Sequence, residues 1–158
     1  MARIGITGHS ALTAVSVSLI LEGIRELLDG QEDLVGVTCL ARGADQLFAR
    51  VVLDLGGTVE VVLPSADYRE RKVKPAELAE FDELLGKASD VHTMPFAEAG
   101  RDAYMAASEH VLSVVDEVVA VWDGAPASGR GGTSDVVEAA HARGMKVTVV
   151  WPDGCARA

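Results

Sequence analysis

Ala2-Arg3-Ile4-Gly5-Ile6-Thr7-Gly8-His9-Ser10 is the stretch that decides the fold. Its first six residues read as a short buried strand, and Gly8 ends that strand in a tight turn. The period then changes. Over positions 11–28, Leu12, Val15, Leu19, Ile24, Leu27 and Leu28 recur at helical spacing until Asp29-Gly30 stops them. A strand that runs through a glycine into a helix is half of a βαβ unit, and the rest of the chain repeats it. Further strands are expected over 34–40, 58–63, 90–94, 117–122 and 146–151, and further helices over 43–55, 76–87, 101–115 and 133–143. The polar, basic stretch 65–75 reads as a loop. Alternation of this kind implies right-handed crossovers and a parallel sheet. Strands that are continuously apolar imply helices on both faces. The expected fold is therefore α/β, a Rossmann-like three-layer sandwich with a mostly parallel sheet of about six strands. Positions 1–152 are expected to form one such domain and 153–158 a short tail. The pattern leaves the order of the edge strands open, and 90–94 fits either beside the third strand or as an irregular edge.

Composition narrows the classes of function. The chain has 158 residues, 49% hydrophobic and 24% charged, which suits one folded domain and argues against disorder. Its net charge is −10, and its basic residues are scattered apart from Arg69, Arg71, Lys72 and Lys74. Duplex phosphates need clustered cations, so general nucleic-acid binding is not expected. A small phosphorylated ligand is compatible, because a few backbone N–H groups and one arginine hold a phosphate. Cys39 and Cys155 have no metal-ligand spacing, and neither a metal nor a cofactor is expected. Arg3 and the polar run Thr7 to Ser10 interrupt any signal peptide. No apolar run reaches membrane-spanning length, so a cytoplasmic location without membrane contact is expected.

In an open parallel sheet, ligands lie at the carboxyl ends of the strands. Three strand-to-helix turns there carry polar chemistry. Thr7-Gly8-His9-Ser10 offers a glycine for close backbone approach, and Ser10 either caps the first helix or touches a phosphate. His9 reads as a hydrogen-bonding helper more than a proton carrier. In the second turn, Arg42-Gly43-Ala44-Asp45, Arg42 is a candidate anion ligand and Asp45 a helix cap or an acceptor from a ribose hydroxyl. The third turn begins at Trp122-Asp123-Gly124, where Trp122 either stacks on a base or fills the strand end. It runs on to Gly131-Gly132-Thr133-Ser134, where glycines and hydroxyls open a helix in the manner of a phosphate nest. It is neither a P-loop nor GxGxxG. Tyr68 with the basic residues 69–74 is either a lid or, as favoured here, a solvated loop. His92, His110 and His141 have no metal spacing, and Ser108 and Ser113 lack a nucleophile context.

Taken together, these turns resemble the SLOG superfamily, which holds the LOG phosphoribohydrolases, the DprA-like proteins and the molybdenum-cofactor carrier-like proteins. The resemblance spans nearly the whole chain and is sharpest at Ala41-Arg42-Gly43-Ala44-Asp45, Ala120-Val121-Trp122-Asp123-Gly124 and Gly131-Gly132-Thr133. It implies a homodimer. Its LOG branch implies cleavage of the N-glycosidic bond of a nucleoside 5′-monophosphate. Arg101, in Arg101-Asp102-Ala103-Tyr104-Met105, would match the LOG catalytic arginine. The LOG catalytic glutamate falls on Val136, and Asp135 is the nearest carboxylate, about 100° away on a helix. The expected partner is thus a nucleotide or nucleotide-derived small molecule, sensed or carried, with LOG-like hydrolysis by Arg101 and Asp135 as the alternative.

Overall fold

The computed structural model describes residues 2–126 and 132–158. Six strands, β1 (Ala2–Gly8), β2 (Leu34–Thr38), β3 (Thr58–Leu63), β4 (Asp90–Thr93), β5 (Glu117–Val121) and β6 (Lys146–Val149), form one sheet. Among the described residues six α-helices connect them, two of these between β3 and β4: α1 (Ala14–Leu28), α2 (Ala44–Asp54), α3 (Tyr68–Lys72), α4 (Leu78–Gly86), α5 (Arg101–Ser113) and α6 (Thr133–Ala142). The sheet order is β4-β3-β2-β1-β5-β6, and every pairing is parallel. The short fourth strand is a regular edge partner of β3, with Val61 opposite Val91.

The two-residue period of the strands sorts their side chains into two apolar layers. Ile4, Ile6, Val59, Val61, Val119 and Val121 meet Ile20 and Ile24 of α1, Phe48 and Val51 of α2, and Phe81 and Leu84 of α4. Val35, Val37 and Val62 meet Ala107 and Val111 of α5 on the other face. Val118 meets Leu112 of α5 and Val136 and Ala140 of α6. This is the expected three-layer α/β sandwich, parallel throughout rather than mostly so.

Two local expectations change. The stretch 65–75 contains a real helix, α3, because Tyr68 at its start is buried against Phe81 and Tyr104. Helix α1 begins at Ala14, and its cap is Thr13, whose hydroxyl accepts from the Ser16 N–H. Ser10 is therefore no helix cap. Residues 153–158 run back along the start of α1. Thr13 N–H donates to Ala156 O, Ala158 N–H donates to Ala11 O, and Leu12 and Arg157 form an antiparallel bridge. Among the described residues, no helix is long and apolar enough to cross a membrane.

Candidate functional site

The chain winds outward from β1 to β4, then returns to lay β5 on the other side of β1. The connections after β1 and β5 leave on opposite faces, and a crevice opens between them at the carboxyl edge. A cavity of about 460 Å³ lies there. Ten of the expected residues line it: Thr7, Gly8, His9 and Ser10 from the first turn, Arg42 and Asp45 from the second, and Trp122, Gly132, Thr133 and Ser134 from the third.

Gly43 and Ala44 do not line the cavity, for a structural reason. Gly43 has φ +85°, and a Cβ there would sit 2.5 Å from Ser10 O and 2.7 Å from His9 O. The adjacent Ala44 N–H donates to His9 O at 3.1 Å. A Cβ on Gly8 would sit 2.6 Å from the Ala44 Cβ and 2.7 Å from the Val121 Cβ. Both glycines are needed because two turns pack backbone to backbone. On the side where a Cβ would stand, Gly8 is packed against Ala44 and Val121, and the residue still lines the cavity.

Asp123 and Gly124 also stand back from the cavity. Asp123 braces the β1 turn: its N–H donates to His9 Nε2 at 3.1 Å, and its carboxylate lies 3.2 Å from the same nitrogen. Another Asp123 contact, Ala125 N–H to Oδ1 at 2.9 Å, fixes the turn at Gly124 (φ +86°). His9 is 7% exposed and meets the edge of Trp151. Burial and, behind it, the nearby Arg157 charge hold its imidazole below the usual histidine range, against the opposing pull of Asp123. The Nε2 of His9 thus accepts a backbone N–H and ties the β1 turn to the β5 turn. Trp122 lines the cavity, with its indole N–H donating to Ala125 O at 2.9 Å.

On the far side, Asp45 occupies the first turn of α2 and is 7% exposed. It accepts from Ala41 N–H at 3.3 Å, and Thr38 and the Cys39 backbone also bond to it. Burial outweighs these bonds and pushes its carboxyl up to about 7. Burial likewise raises the Cys39 thiol and the Tyr68 phenol, and the Asp45 charge adds to both. Arg42 is largely exposed and lies 3.6 Å from Glu77.

Arg101 and Asp135, the pair on which hydrolysis depended, do not line the cavity, whereas Val136 does. Gly131 lies outside the described residues. Among the described residues, no group of three His, Cys, Asp or Glu side chains could hold a metal ion.

Several lining residues were not expected. Leu40 is fully buried with φ +61°, a left-handed backbone that costs on the order of 1–3 kcal/mol. Its N–H donates to the Thr38 hydroxyl, and its carbonyl accepts from the Gln46 side chain. Tyr104 and Ser108 come from one face of α5, and Lys72 and Lys74 from the α3 segment. The basic stretch is thus part of the cavity wall, not merely a solvated loop. Helical spacing of Tyr104 and Ser108 was a usable signal, since residues four apart share a face. Arg157, from beyond the last strand, also reaches the cavity.

No family model and no curated protein matches the sequence. Solved structures do match. DNA processing protein A from Streptococcus pneumoniae is 19% identical with a TM-score of 0.68, the match covering 94% of this chain and 50% of that one. DNA processing protein A from Helicobacter pylori, described by its single-stranded DNA binding mode, is 17% identical with a TM-score of 0.69, covering 94% and 64%. The Moco carrier protein of Chlamydomonas rheinhardtii is 15% identical with a TM-score of 0.57, covering 94% and 74%. The chain therefore spans half to two thirds of the length of the two DNA processing proteins. The likeness to the two DNA processing proteins, one of them described by its single-stranded DNA binding, contradicts the expectation of no general nucleic-acid binding. A net charge averages over the whole surface, whereas single strands are held by a local groove and by stacking, so −10 does not forbid it. At 15–19% identity the likeness is one of fold, an α/β Rossmann-like fold.

Proposed function

We propose that the chain binds a nucleotide or a nucleotide-derived small molecule in the cavity at the carboxyl edge of its sheet, and holds it intact as a sensor or carrier. The observation that carries this reading is the convergence of all three glycine turns on one cavity of about 460 Å³. That volume lies within the range usual for small-molecule sites, roughly 300–1,000 Å³. The cavity mixes the groups a nucleotide needs. Gly132, Thr133 and Ser134 bring the start of α6, which has no side-chain cap, to an anion. Trp122, Tyr68 and Tyr104 offer aromatic surface for a base. Retention of the ligand is favoured over hydrolysis because the position of the LOG glutamate is taken by Val136, an apolar residue on the cavity wall.

The test is thermal unfolding against nucleoside monophosphates, cyclic nucleotides, ADP-ribose, dinucleotides and short single-stranded oligonucleotides, with product analysis of each hit. A ligand at about a hundred times its dissociation constant adds roughly 2.7 kcal/mol of stability. We expect stabilisation by a mononucleotide-sized ligand that is recovered unchanged. Release of free base and ribose 5-phosphate would replace the sensor reading with a hydrolase. Stabilisation by oligonucleotides alone would make the cavity part of a nucleic-acid groove.

A further inference from the structure

In a strand-turn-helix unit of this kind, the start of the first helix is the ordinary seat for an anion. Here that seat is filled by the protein itself. Ala156 O accepts from Thr13 N–H at 3.3 Å and from the Ser16 hydroxyl at 3.0 Å. The Ser16 hydroxyl oxygen in turn accepts from Ala156 N–H at 2.7 Å. Ala158 N–H to Ala11 O and the Leu12–Arg157 bridge fasten the segment on both sides. The next residue in this strap, Arg157, lines the cavity.

The charges around the cavity make that placement specific. Among the described lining residues, Lys72 and Lys74 belong to the α3 side, and Arg42 is paired with Glu77 at 3.6 Å. Arg157 alone of the described lysines and arginines serves the side made by β1 and β5. Its side chain is 52% exposed, and its contact with Asp123 is long, at 3.9 Å. Asp123 is already engaged by Ala125 N–H and by His9. A pair this long and this exposed holds its arginine weakly. A phosphate offers the guanidinium a closer, two-pronged partner.

We propose that the segment after β6 is part of the ligand site: it closes the first-helix anion seat with its own backbone and delivers Arg157 to the cavity as the replacement, to hold a phosphate or diphosphate group of the ligand. This rests on the nucleotide reading above, and it adds which residue takes the anion and where.

The test compares wild type, Arg157→Ala and Arg157→Lys in binding inorganic pyrophosphate, AMP and adenosine, by calorimetry and thermal unfolding. Pyrophosphate and AMP are expected to bind Arg157→Ala about ten- to a hundredfold more weakly, the effect of losing a bond to a charged group. Arg157→Lys should recover part of that loss. Adenosine binding and the melting point of the unliganded protein should not move, because the strap is fastened by backbone bonds. Equal pyrophosphate and AMP affinities for wild type and Arg157→Ala would overturn the proposal while leaving nucleotide binding in place. An equal loss for AMP and adenosine would overturn it too, by showing a general packing role. Pyrophosphate binding through Arg157 without binding of any nucleotide would keep this proposal and end the nucleotide reading. Binding of neither pyrophosphate nor AMP to wild type would overturn it.

Discussion

The two walls of the cavity come from the same kind of unit, a strand leading through a glycine turn into a helix, but they treat their ionisable groups in opposite ways. On the β1–β5 wall, His9 and Asp123 answer each other. The imidazole accepts the Asp123 N–H, and the carboxylate is drawn down, chiefly by the Ala125 N–H and less by Arg157. On the β2–α2 wall, Asp45 is held by neutral donors, the Ala41 and Cys39 N–H groups and the Thr38 hydroxyl, deep enough that burial wins. One wall favours its charged carboxylate, and the other resists it. A buried carboxyl that titrates near neutrality inside a cavity is a usual mark of a functional position.

The largest expected effect exploits that contrast. Asp45 has its usual pKa of 3.8 in the unfolded chain and about 7 in the fold. Between those values the folded protein binds more protons, so stability falls as pH rises. The contribution of Asp45 is fully present below about 3.8 and is lost as pH climbs through about 7. Asp45→Asn removes the titration. From pH 4 to pH 8, the stability of the variant relative to wild type should therefore rise by up to roughly 4 kcal/mol. Urea unfolding across that range reads it directly. Parallel profiles would mean that Asp45 is as well solvated as Asp123, and the contrast between the walls would be lost.

Next in size is the joint between the walls. Gly43→Ala places a Cβ against the His9 and Ser10 carbonyls at a backbone angle that L side chains avoid. It should cost on the order of 3 kcal/mol. Gly124→Ala is its control: the angle is similar, φ +86°, but among the described residues no atom beyond its chain neighbours lies within 4 Å of the added Cβ. There the cost should be about 1 kcal/mol, the backbone part alone. Equal costs at the two sites would show that the turns separate easily and that the walls are not rigidly joined.

What was legible in the sequence follows from which physics is local. Strand and helix periods, glycine punctuation and the rule for the carboxyl edge are local or topological, and they placed six strands and ten of the cavity residues. What was not legible depends on contacts distant in sequence. Tyr68 sits at the head of a basic run, and only Phe81 and Tyr104 make it a buried residue and α3 a helix. Leu40 gives no hint of a left-handed backbone, because the Thr38 and Gln46 side chains stabilise that turn from outside it. Ser10 had the right chemistry for a cap, but the chain runs three residues further before Thr13 starts the helix. The segment 153–158 carries no periodic pattern, and its place is set by bonds to Ala11, Thr13 and Ser16, some 140 residues earlier. Net charge misled for the complementary reason: it is a global sum, whereas a groove is local.

The smallest effect sharpens the comparison from the other wall. His9→Ala removes the acceptor for Asp123 N–H and the edge contact with Trp151. It should cost about 1–2 kcal/mol at pH 8, the range for a buried hydrogen bond lost from one side. The pH dependence has the opposite sign to that of Asp45. Because the His9 pKa is lowered in the fold, the unfolded chain binds more protons below the usual histidine value of 6.5. The contribution of His9 is therefore fully present above 6.5 and is lost as pH falls through the folded value. The gap between wild type and His9→Ala should narrow from pH 8 to pH 5, over part of the same interval in which Asp45→Asn gains on wild type as pH rises. A gap that stays constant would mean that the imidazole protonates in place, which requires the Asp123 N–H to turn away from Nε2. The brace between β1 and β5 would then be a contact that opens freely, and the first wall would be the softer of the two.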